Sequence, residues 1–185
     1  MAFNRRKFLS MSAGITGLAL APLEEMFAQK PLFVVPEKFS LKVMGTSGGF
    51  DGSVDAFCAK AKKAGYDGIE MWWPGNATAQ KELFDALHKH QLDIGFLPGG
   101  SDKDPAKHFQ QFKQMIDGAA SQQIQKPLYI NCHSGRDFLS MEENGKFIEY
   151  TSLVAKNTGI IICHESHRSR ILFAAHIAKA YIQKY

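Results

Sequence analysis

The residues best suited to chemistry crowd into one stretch, IIICHESHRSR at 160–170. Three isoleucines and a cysteine read as a strand buried on both faces. His164, Glu165, His167, Arg168 and Arg170 follow at once, and such groups are costly inside a core. Carboxylate, imidazole and guanidinium side chains together offer proton transfer, metal ligation and the gripping of hydroxyl-rich or anionic molecules. Placed where a parallel strand ends, they are positioned as an α/β fold positions an active site.

Two other strand ends carry similar groups. In PLYINCHSGRD, residues 127–137, strand alternation puts Asn131 and His133 on one face. Asp137, just beyond, either contacts a ligand or begins the loop to the next helix. In DGIEMWWP, residues 67–74, Glu70 lies among apolar neighbours. It must face a polar interior or pair with a base. Trp72 and Trp73 would make a wall for a sugar face or pack in the core. Alternation turns His164 away from Glu165, towards packing between sheet and helix, and leaves His167 on the loop, open to ligand. His88, His90, His108 and His176 fall on helical stretches and read as solvated.

The elements that must hold these groups alternate regularly. Strands are expected at 41–44, 67–73, 92–97, 127–133 and 160–165. Helices follow each of them. Val54, Phe57, Cys58 and Ala61 recur at helical spacing and stop at Gly65; Leu83, Phe84 and Leu87 mark a helix over 77–90. Phe109, Phe112 and Ile116 mark the third, 141–156 forms the fourth, and Ile171, Ala175, Ala178 and Ile182 share a face of the last. Five strand–helix units imply right-handed βαβ crossovers and a parallel sheet, either doubly wound or a barrel. No GxGxxG or GxxxxGK[ST] follows the first strand, which weakens a nucleotide-binding reading.

GYDGIEMWWP, INCHSGRD and ICHESHRSR, in that order, resemble the sugar isomerase/epimerase superfamily of xylose isomerase-like TIM barrels. The resemblance covers 39–185 and implies a (β/α)8 barrel, of which the sequence holds about five units. It implies a divalent metal cation, Mn²⁺ or Mg²⁺ ahead of Zn²⁺ or Co²⁺, with Glu165 as ligand and as acid/base. Three further ligands, from strands six to eight, have no counterpart in the sequence. It also implies that His133, His167, Arg168 and Trp73 bind substrate, Arg168 being preferred to Arg170. Each role has a plain rival: Glu165 ion-paired with Arg168 or Arg170, and His133 bonding a loop carbonyl.

The implied activity is rearrangement of a free sugar or sugar derivative through a metal-stabilised enediolate. A chain of five units is expected to be inactive by itself and to self-associate as a homo-oligomer. The alternative is a non-catalytic carbohydrate-binding or scaffolding remnant of the same barrel. An endonuclease IV-like repair enzyme would need more histidines at the second and third strand ends, where Trp73 and Leu97 stand.

The chain's 185 residues are 45% hydrophobic and 22% charged, enough for one core. The net charge of +4 is modest and scattered, which argues against nucleic-acid binding. Arg5 and Arg6, then Phe8, Leu9 and a Gly/Ala-rich apolar stretch, resemble a twin-arginine export signal over 1–28, cleaved after Ala28. A Pro-containing lead-in fills 29–38. The apolar stretch is too short to span a bilayer, so the expected location is periplasmic or exported, without membrane insertion once the signal is gone. Cys58, Cys132 and Cys163 are odd in number and lack CxxC spacing, and read as buried small hydrophobes.

Overall fold

The computed structural model describes residues 40–185. The expected twin-arginine signal and lead-in lie outside the described residues. Five strands alternate with five helices. They are β1 (Met44–Thr46), α1 (Val54–Lys63), β2 (Gly68–Met71), α2 (Ala77–His90), β3 (Asp93–Phe96), α3 (Pro105–Ser121), β4 (Tyr129–Cys132), α4 (Met141–Thr158), β5 (Ile162–His164) and α5 (Ala175–Lys184). Every strand pair is parallel, and the sheet order is β1-β2-β3-β4-β5.

That order decides between the two architectures left open by spacing. A doubly wound sheet reverses direction at a switch point, whereas here each crossover steps the same way. Uniform right-handed crossovers place every helix on one side of the sheet. The result is an arc of a (β/α)8 barrel, helices outside, with the other sheet face lining the interior.

The outer face carries the core. Ile69 stands beside Ile94, and Phe96, Ile130 and Ile162 follow one another in register. Leu83, Leu87, Phe112, Ile116 and Phe147 bury against them from the helices. The helices begin where side chains can accept their free N–H groups. Ser53, Asn76 and Asp104 each cap one. Ser140 and Glu143 form a reciprocal capping box at α4. Each such cap contributes about 1 kcal/mol.

Several expectations are corrected. β5 is not buried on both faces: Ile161 is 68% exposed and Cys163 is exposed too. Residues 161, 163 and 165 face the interior, and among the described residues β5 has a neighbour only on the β4 side. On α5, Ile182 is 78% exposed and Tyr181 takes the buried face instead. The Tyr181 ring stacks on Tyr185, whose hydroxyl reaches the Met141 carbonyl.

Two histidines expected in solvent are not there. His108 is 1% exposed, because at four-residue spacing it continues the stripe of Phe112 and Ile116. His90 bonds Asp55 at 2.8 Å.

Candidate functional site

At the C-terminal rim of the sheet, β4 and β5 bring three side chains to one point. His133 Nε2 lies 2.7 Å from Glu165 Oε2, and Asn131 Nδ2 donates to the same oxygen at 3.1 Å. The backbone fixes this meeting. Glu165 N–H donates to the Cys132 carbonyl, carrying the ladder one residue past β5. His133 N–H donates to the Pro98 carbonyl and so bridges the β3 end. Strand alternation then aims 131, 133 and 165 inward. Glu165 is therefore held by an imidazole and an amide rather than by Arg168 or Arg170.

Aromatic rings extend the cluster on both sides. Trp72 packs edge-on against His133, ring centroids 5.1 Å apart, and the His167 ring lies 4.8 Å from the other side. His167 Nδ1 is 2.6 Å from the Arg168 carbonyl, so in the neutral ring the proton sits on Nδ1 and Nε2 is an acceptor. Trp72 also walls a cavity of about 560 Å³, shared with Trp73, Gly99, Gly100, Ser101, Gln111 and Arg170. Trp73 contributes a half-buried face to it, its ring edge-on to Phe96.

The two arginines separate. Arg168 is exposed on the loop, while Arg170 lines the cavity. Of the two, Arg170 is the one that faces this cavity. Arg170 donates to the carbonyls of Gly100 and Gly135. Asp137 is exposed beside the loop.

Behind the rim, His164 does what alternation indicates. Its Nδ1 is 2.6 Å from Ser134 Oγ and its Nε2 is 2.9 Å from Thr151 Oγ1, which ties β5 to α4. Burial pushes its pKa down to about 4. Lower in the interior, Glu70 faces inward and bonds the Tyr129 hydroxyl, and burial, then this carboxylate, raises the phenol's pKa.

Glu165 and His133 offer one carboxylate and one imidazole to a cation. Among the described residues, no group of three His, Cys, Asp or Glu converges to hold one. A hard divalent ion takes six or more oxygen-rich ligands. The residues present therefore do not complete a metal site.

Two contributors escaped the sequence reading. Arg136, next to Asp137 in the same motif, donates to the carbonyls of Gly100 and Ser101. Buried Asn144 clasps the loop after β4 by accepting from Arg136 N–H and donating to the Arg136 and Leu139 carbonyls. Arg136 had a signal, a guanidinium at a strand end. Asn144 lies in mid-helix, where nothing local marks it.

Among solved structures, the chain is similar to one described as the crystal structure of a D-tagatose 3-epimerase-like protein, with a TM-score of 0.60 and 15% sequence identity. The match covers 78% of this chain, which spans about 61% of that one's length. At that identity the likeness is one of fold, an α/β arc matching part of a TIM barrel. No family model matches the sequence, and neither does any curated protein.

Proposed function

We propose that this chain carries the Glu165 portion of a sugar isomerase or epimerase that moves a proton beside a carbonyl. One observation carries the reading: at the rim of a parallel barrel arc, Glu165 is a carboxylate with one oxygen pinned and the other without a partner among the described residues. Asn131 and His133 both engage Oε2. Oε1 is then available to take the proton from the carbon next to a sugar carbonyl. The electrons of the broken C–H bond pass to the carbonyl oxygen as an enediolate. Return of the proton to the neighbouring carbon, with the hydroxyl proton passing from one enediolate oxygen to the other, gives an isomer; an epimer requires a second acid to deliver a proton to the opposite face. His133 keeps the carboxylate oriented, and Trp72 offers an apolar face to the sugar ring.

A divalent cation, Mn²⁺ or Mg²⁺ first, enters the proposal only through Glu165 together with oxygen ligands beyond the described residues. Bound there, it would stabilise charge on the enediolate oxygens. Two donors do not hold it alone, and further oxygen ligands are required. The twin-arginine reading of 1–28 puts the reaction outside the cytoplasm, where free sugars and sugar acids outnumber phosphate esters.

A second reading, carbohydrate binding without catalysis, is favoured by the lack of a converging three-ligand group among the described residues. One experiment separates the two. Free ketoses and aldoses are incubated with the protein in D₂O with Mn²⁺, and exchange at the carbon beside the carbonyl is followed by NMR. Exchange that falls about 100-fold or more in Glu165→Gln supports the enzyme. No exchange, with sugar binding retained, leaves the binding protein.

A further inference from the structure

We propose that Arg170, backed by Arg136 and the Gly99–Ser101 loop, forms a receptor for the anionic group of a sugar acid or sugar phosphate. The receptor belongs to the cavity that shares Trp72 with the Glu165 cluster. The sugar part of this ligand rests on the reading above; the anion receptor rests on the arginines.

Both guanidinium groups converge on one carbonyl. Arg170 Nη1 donates to Gly100 O at 3.2 Å, and Arg136 Nη2 donates to the same oxygen at 3.4 Å. Arg136 Nη2 also reaches Ser101 O at 3.1 Å, and Arg170 Nη1 reaches Gly135 O at 3.4 Å. Among the described residues neither arginine forms an ion pair. Each uses only one nitrogen of its fork, so most of the planar donor array that suits carboxylate or phosphate is free. Two cations sharing a carbonyl with no counter-ion are a costly arrangement, relieved by an anion between them.

The loop approaches closely, and its carbonyls hold the two arginines in place. Gly100 has no room for a side chain: a Cβ there would lie 2.8 Å from His108 Nδ1. His108 is buried, and among the described residues neither ring nitrogen has a hydrogen-bond partner. It stays uncharged behind the loop, its pKa pushed down to about 4 by burial and then by the charges of Arg136 and Arg170. Gln111 lines the cavity with its carbonyl oxygen already committed to the N–H groups of Ser101 and Asp102, at 3.2 Å each, which leaves its NH₂ as a donor. The nearby acid, Asp102, is engaged in capping the Asp104 N–H at 2.9 Å.

Quenching of tryptophan fluorescence, with Trp72 and Trp73 in the cavity wall, provides the assay. The probes are D-gluconate, D-glucose 6-phosphate and the neutral D-glucitol. At least one anion should bind about tenfold or more tighter than glucitol. Its binding should weaken as salt rises, while that of glucitol stays level. Arg170→Gln should abolish the preference and Arg170→Lys should keep part of it, with circular dichroism reporting whether each variant is folded. Which anion wins decides between carboxylate and phosphate ester. Equal binding of anionic and neutral probes, no binding of either anion, or salt-indifferent binding in the unmodified protein would overturn the receptor even if Arg170→Gln fails to fold. Absence of sugar exchange in the unmodified protein, with its anion preference intact, sinks the isomerase alone, and exchange without anion preference sinks the receptor alone.

Discussion

Glu165 Oε2 sits 2.7 Å from His133 Nε2 and accepts from Asn131 Nδ2 on the same oxygen. Two neighbours thus share one duty, fixing which carboxylate oxygen is left open. Their removal should be non-additive. His133→Ala and Asn131→Ala are each expected to lower kcat/KM for proton exchange about tenfold, and the double variant by less than the product of the two. Steady-state kinetics on the four proteins measures this coupling. Independent, multiplicative losses would mean the two residues act at different places.

The loop after β4 depends on Gly135, whose φ is +52°. A Cβ at this position would run into Asn144 Oδ1 and Ile171 Cγ2. Gly135→Ala therefore combines a left-handed backbone penalty of about 1–2 kcal/mol with a collision in a buried contact. The total loss should exceed about 2 kcal/mol in urea unfolding. Anion binding should weaken in parallel, because Asn144 Oδ1 holds the N–H of Arg136 at 3.1 Å. A variant as stable as the parent would show that the loop relocates freely.

The strand–helix alternation and its parallel sense were legible because period 2 and period 3.6 are local properties of the chain. Ala77–His90 is bounded as the spacing of Leu83, Phe84 and Leu87 indicates. The barrel sense of winding was not legible, since strand order is a long-range fact. On the inner face, Glu70 could be placed in a polar interior or a pair but not assigned to Tyr129, which comes from a strand two positions away in the sheet order. His164, Asn131 and His133 were placed by alternation alone. The choice between Arg168 and Arg170 was not, because both lie in a loop with no period. His108 was misjudged by treating histidine as a surface residue when its spacing matched the core stripe.

His108 and His164 make the fold sensitive to mild acid. Both pKa values are pushed from the ordinary 6.5 down to about 4 by burial, helped at His108 by Arg136 and Arg170. Between those values the unfolded chain binds protons that the folded one refuses. Stability should therefore fall as pH drops from about 6.5 towards 4, and level off below. At about 1.4 kcal/mol per unit, His108 alone can withdraw roughly 3 kcal/mol. Thermal unfolding at pH 7 and pH 5 checks this. His108→Leu should shrink the difference between the two melting temperatures. An unchanged difference would show that the ring is solvated or already paired.

The interior face of β5 presents Ile161, 68% exposed, and the exposed Cys163 on the same side of the strand. Among the described residues β5 has no strand on its far edge. An open edge beside apolar side chains is a template for pairing with another chain. Sedimentation velocity on the 185-residue chain should therefore show a weight-average mass that rises with concentration. Ile161→Lys places a charge on that edge without touching the outer core, and should return the protein towards monomer with little change in melting temperature. A parent protein that sediments as a monomer at every concentration would refute this reading. So would a lysine variant that associates as strongly as the parent, since the contact would then lie elsewhere.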